Sequence, residues 1–81
     1  MKPFKKMEIT WLDSIHEGGW RKLGDVDFSE NQLKHKTIGY LVFESKVSIA
    51  VAQSYGEERE DPTIDSVMQI PKCAIKKIIR F

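Results

Sequence analysis

Ile70-Pro71-Lys72-Cys73-Ala74-Ile75-Lys76-Lys77-Ile78-Ile79-Arg80-Phe81 is an apolar strand end, a proline-led turn and a closing strand. Proline fixes φ and has no N–H to give to a ladder, so it ends the first of these strands. A short turn at this point flips the chain and lets the last strand return to pair with the first, which leaves no long sheet edge exposed. The stretch therefore predicts a small closed β-barrel.

Four further strands are read upstream of it. Met7-Glu8-Ile9-Thr10-Trp11-Leu12 alternates apolar Met7, Ile9 and Trp11 with polar Glu8 and Thr10, the period of a half-buried strand. Thr37–Glu44 and Val47–Gln53 are rich in β-branched and aromatic residues and are separated by Ser45-Lys46, which reads as a hairpin. In the second of these, Val47, Ile49 and Val51 share one face. Small Ser48, Ala50 and Ala52 share the other, where a packed strand, a partner subunit or a ligand can come close. Thr63–Ile70 follows Asp61-Pro62 as the fourth strand, with a bulge expected at Asp65-Ser66. The closing strand is Lys76–Phe81.

Between the first two strands lies a long connection. Gly18-Gly19 permits positive φ just before Trp20, so this loop positions an aromatic ring. Ser29-Glu30-Asn31-Gln32 has the form of a capping box, but the run after it is short and polar, and one helical turn is all it supports. Five strands, a long loop after the first and a tight turn before the last give an all-β reading: a five-stranded SH3-like or Sm-like small barrel with at most one short helical turn. One domain spans residues 1–81, without repeat, linker or low-complexity segment.

Size makes such a domain marginal. A chain of 81 residues buries only about 60–65% of its unfolded surface, so association into a homo-oligomer would help. The small-residue face of the third strand is where an interface is expected. A hydrophobic fraction of 41% and a charged fraction of 31% describe a globular chain and exclude a disordered tail. No apolar run approaches the length of a membrane span. The basic start Met1-Lys2-Pro3-Phe4-Lys5-Lys6 is not followed by a signal-peptide core, so the expected location is the cytoplasm.

The net charge is +1, which argues against strong non-specific binding to long nucleic acid. The charge is uneven, however. Lys2, Lys5 and Lys6 near the start and Lys72, Lys76, Lys77 and Arg80 near the end form one basic edge if the terminal strands pair. Glu57-Glu58-Arg59-Glu60-Asp61 is acidic.

Signatures of catalysis are weak. His16 and His35 are where a general-base proposal would begin, but they have no recognisable partner and read as solvated loop residues. Cys73, the single cysteine, reads as a small buried apolar residue and allows no internal disulfide. The acidic residues Asp25, Asp27, Glu57, Glu58, Glu60 and Asp61 match no calcium-loop spacing. The expectation is a protein that binds, with no catalytic residue, metal or cofactor.

Trp11, Trp20, Tyr40 and Tyr55 are many large rings for so small a chain. Packing in the core is the ordinary role of such rings, and Trp11 on an apolar strand face fits it. Trp20 and Tyr55 sit beside glycines at strand ends, where small barrels present ligand-facing groups. A base-like ring would stack on Trp20 or Tyr55, Lys72 or Arg80 would neutralise a phosphate, and Gln53 or Ser54 would read polar edges.

The segments Ile9-Thr10-Trp11-Leu12-Asp13, Gly19-Trp20, Thr37-Ile38-Gly39-Tyr40-Leu41-Val42, Val51-Ala52-Gln53-Ser54 and Ile70-Pro71-Lys72 together resemble a set of small, uncharacterised proteins encoded by phages and prophages. The resemblance covers most of the chain and carries no established catalytic residues. It implies a viral or mobile-element origin, hence the host cytoplasm, and a binding or inhibitor protein that sequesters a nucleotide-like ligand or a host defence component. A nucleic-acid-binding barrel and a protein-interaction adaptor that docks a host protein through Phe4 and Phe81 are the alternatives.

Overall fold

In a computed structural model the chain is all-β. The structure describes residues 4–14, 16, 18–56 and 61–81. The acidic run Glu57-Glu58-Arg59-Glu60 and the basic start Met1-Lys2-Pro3 lie outside the described residues. Five antiparallel strands form one sheet in the order β4-β3-β2-β1-β5: β1 Lys6–Leu12, β2 Lys34–Glu44, β3 Ser48–Tyr55, β4 Ile64–Pro71 and β5 Ile75–Arg80. Terminal strands pair as the sequence predicts, with Met7 opposite Arg80 and Ile9 opposite Ile78.

Among the described residues the helical content is three single 3-10 turns, at Leu23–Asp25, Glu30–Leu33 and Lys72–Ala74, where at most one short turn is expected. Glu30–Leu33 begins where the capping box was read, but the Ser29 side chain makes no cap. Asp27 organises the turn instead: its carboxylate accepts the Ser29 N–H at 2.9 Å and its carbonyl accepts a Gln32 side-chain N–H at 2.7 Å.

β2 starts at Lys34, three residues before the expected Thr37, because the ladder with β1 continues through Thr10 opposite Lys36 to Leu12 opposite Lys34. The predicted bulge at Asp65-Ser66 is absent, since β3 and β4 keep one register on both sides of it. Ser66 instead takes a left-handed φ of 55° and interrupts a single bridge. Register shifts fall elsewhere, between Leu41 and Phe43 on β2 and opposite Thr10 and Trp11 on β1. Such irregularities bend and twist a strand.

The sheet is strongly coiled. Pro71 at the end of β4 pairs with Ser48, whose backbone oxygen accepts the Ser45 N–H, whereas Ile75 at the start of β5 pairs with Trp11, itself opposite His35. From His35 to Ser45 a strand runs roughly 33 Å, yet the residues Lys72–Ala74 that join β4 to β5 reach only about 14 Å. A flat sheet cannot satisfy both. Contact across the concave side agrees: the Thr37 hydroxyl of β2 donates to the Met68 sulfur of β4 at 3.6 Å, past the intervening β3. β4 and β5 share no ladder, so the sheet remains open and a closed barrel is not formed.

The concave side is the core. Met7, Ile9, Ile49, Val51 and Ile70 are buried there, with Trp11, Leu41, Ile75 and Ile78 packed against them. On the opposite face Ala50 and Ala52 are buried within the same chain. Pairing sets Ala50 between Phe43 and Gln69, and Ala52 between Tyr40 and Val67, so larger neighbours close over both methyls. The face expected to hold an interface thus presents Phe43 and Val67 to solvent in place of the alanine methyls.

Candidate functional site

Between Asp13 and Leu33 the described residues leave the sheet as an arm. Its base is fixed by the last β1–β2 pair, Leu12 opposite Lys34, and by the Asp13 N–H donating to the Leu33 carbonyl at 2.9 Å. Beyond the base, neither 3-10 turn of the arm packs closely on a strand. Gly19, at φ 93°, takes the left-handed conformation that the Gly18-Gly19 pair predicts, and delivers Trp20 into solvent. Trp20 is fully exposed, Leu23 is 78% exposed and Phe28 is 71% exposed.

The arm borders an open hollow of about 480 Å³, within the usual range of small-molecule sites, roughly 300–1,000 Å³. Trp20, Phe28, Val26 and Leu33 give it apolar walls, and Arg21, Asp27, Ser29 and Gln32 give it charge and hydrogen-bonding capacity. The hydrogen bonds from Ser29 and Gln32 to Asp27 tie these three residues of the wall together.

The expected site residues divide into three groups. Trp20 lines the hollow, but none of Gln53, Ser54, Tyr55, Lys72 or Arg80 contributes to it. Gln53 and Ser54 are exposed at the end of β3. Tyr55 is half-buried, with its ring edge-on to Phe4 at 4.9 Å and to Tyr40 at 5.0 Å. That aromatic cluster holds the ring in packing on the sheet.

Lys72 is committed to an ion pair with Glu44 at 3.0 Å. Its hydrogen bond and its charge hold the Glu44 carboxyl below the ordinary carboxylate value, against a smaller opposing effect of burial, and Arg80 adds a weaker pull in the same direction. Lys72, Glu44 and Arg80 therefore form one charge cluster, while Lys76, Lys77 and Arg80 line the basic strand β5. Phe81 is exposed beneath the Lys6 ammonium, 5.1 Å from the ring centre.

Two other residues depart from expectation. Cys73 is exposed, because the turn Lys72–Ala74 carries it outward while Ile70 and Ile75 on either side turn to the core. His35 is a strand residue on β2, its ring 5.2 Å from Trp11, opposite which it pairs. His16 is exposed outside any strand, as predicted.

Phe28, Asp27, Ser29 and Gln32 were not singled out as site residues from sequence, because Arg21 to Lys36 has no periodicity to read. Its length was the available signal: a connection of some twenty residues is uncommon in a compact domain, and such loops are usually either functional or linker segments. Among the described residues, no group of histidine, cysteine, aspartate and glutamate is placed to hold a metal ion, and no helix is long and apolar enough to cross a membrane. No family model, curated protein or solved structure matches the chain.

Proposed function

We propose that this chain is a non-catalytic binding protein that holds a planar, nucleotide-sized ligand in the hollow of its arm. One observation carries the reading: aromatic Trp20 and Phe28 face a cavity of about 480 Å³ that also takes in Arg21, Asp27, Ser29 and Gln32. A heterocycle stacking on an exposed ring gains about 1–3 kcal/mol per base. Arg21 supplies the positive charge that an anionic substituent requires, and the polar side chains supply donors and acceptors to a ring edge. In this reading the hollow's own residues take the roles expected of Gln53, Ser54, Lys72 and Arg80.

The scaffold belongs to the SH3-like class of small barrels, a reading supported by the coil that the short β4–β5 turn imposes and by the return of β5 to β1. The biological role is that of a phage inhibitor acting in the host cytoplasm, which removes a nucleotide-like signal or blocks a host defence protein; the resemblance noted above supports it. A second reading, binding of nucleic acid, is favoured by Lys76, Lys77 and Arg80 on β5.

The test is calorimetric titration with a panel of mononucleotides, dinucleotides and cyclic nucleotides, together with native mass spectrometry of protein purified gently from cells. Saturable binding that disappears in Trp20→Ala, with the circular dichroism spectrum unchanged, supports the reading. Binding that survives Trp20→Ala, or no binding and no retained mass, overturns it. Affinity for an oligonucleotide that falls steeply with salt and with loss of Lys76 and Lys77 would transfer the function to the β5 edge.

A further inference from the structure

We infer that the arm is an assembly element, which covers Leu23, Phe28 and Trp20 with the outer sheet face of a second copy of this chain. The surface area supports this first. A compact monomer of 9.4 kDa exposes about 5,000 Å², but this chain exposes 6668 Å². The excess is about twice the ~800 Å² that each partner contributes to a standard interface. The radius of gyration, 16.5 Å, likewise exceeds the roughly 12 Å of a compact chain of this length.

Large apolar side chains are exposed in several places, two of which face outward from the sheet and its core. One is the arm, with Trp20, Leu23 and Phe28. The other is the convex face of the sheet, where Ile38 is 58% exposed, Phe43 51% and Val67 49%. Phe43 and Val67 stand on either side of the buried Ala50 and Ala52, and Ile38 lies further along β2 toward the arm. Exposed apolar area on this scale marks an interaction surface.

A second copy fits better than the chain's own sheet or a different protein. The arm is clamped at its base, and its Trp20, Leu23 and Phe28 stay exposed, as do Ile38, Phe43 and Val67 on the convex face. Each copy carries both an arm and a face, so a two-fold exchange covers both surfaces at once and closes the assembly. A net charge of +1 offers no electrostatic opposition to self-association. Trp20 and Phe28 also line the hollow, so a second copy and a stacked ligand compete for the same rings.

Sedimentation velocity across a broad concentration range, without added ligand, tests it. The full chain is expected to sediment as a dimer or larger closed assembly. In a Trp11→Phe background, Trp20 should be shielded from acrylamide quenching. Leu23→Ser with Phe28→Ser on the arm, and separately Val67→Glu on the sheet, should each give a monomer with an unchanged circular dichroism spectrum and a freely quenched Trp20. Should one of the two fail to fold, the other still decides. A monomeric wild-type chain overturns the proposal, whether Trp20 is open or folded onto its own sheet. So does an assembly that survives either folded variant. A monomeric chain leaves the rings of the hollow open and the calorimetric test untouched, whereas a shielded Trp20 means that assembly and ligand binding exclude one another.

Discussion

The backbone oxygen of Ala52 lies 2.9 Å from the point that a Cβ on Gly39 would occupy, with the Val51 Cβ at 3.0 Å. β2 and β3 approach so closely here that only a residue without a side chain fits. Gly39→Ala is expected to force the strands apart and cost about 1–3 kcal/mol, read as a lower midpoint in urea denaturation. Gly24→Ala is the control, since a Cβ there meets nothing within 4 Å, and its effect should stay within about 0.5 kcal/mol.

Trp11 links three strands through one hydroxyl. Its indole N–H donates to the Thr37 hydroxyl at 2.9 Å, and that hydroxyl donates to Met68. Thr37→Val leaves a half-buried N–H without its acceptor and should cost about 1–3 kcal/mol. Trp11→Phe removes the donor as well as part of the ring. A double-mutant cycle on the two should show coupling, with the second change costing less once the first is made; strict additivity would mean that the bond contributes nothing.

Lys72 holds the Glu44 carboxyl below its ordinary value, so the pair stabilises the fold when the carboxylate is charged. That contribution is present above the unfolded carboxylate pKa and is lost as pH falls through the lower folded value. The pair is partly exposed, so salt should weaken it. Thermal unfolding should therefore show a larger loss of stability on acidification for the wild type than for Glu44→Gln. The gap between the two at neutral pH should narrow in high salt.

Cys73 is exposed on its turn, so native protein should react with a thiol reagent as fast as unfolded protein does. A thiol that reacts only after denaturant is added would contradict this placement.

How far the sequence could be read depended on periodicity. Met7, Ile9 and Trp11 alternate with polar residues, and the structure puts Met7 and Ile9 in the core with Trp11 against it. Ile70-Pro71 ends one strand and the next returns to β1, as the turn chemistry implied. Cys73 was misplaced because a three-residue turn has no repeat from which to read a direction. His35 was misplaced because polar Lys34-His35-Lys36 resembles a loop until β1 supplies its hydrogen-bonding partner. The arm was the least legible part. Trp20 and the glycine before it stood out, but Phe28, Asp27, Ser29 and Gln32 form a wall only after two short turns bring them together.

Local chemistry alone determined that this chain is all-β, where its strands lie to within a few residues, and that Met7, Ile9 and Trp11 share an apolar strand face. Alternation and turn residues act between near neighbours and are written in the sequence. Tertiary structure alone decided that the sheet coils yet stays open, that Ala50 and Ala52 are covered by their own neighbours, and that Lys72 faces Glu44. It also decided that Trp20 shares a hollow with Phe28, apart from Tyr55. Those outcomes depend on contacts between residues distant in sequence and on a backbone too crowded at Gly39 for any side chain, and no local pattern encodes such distances.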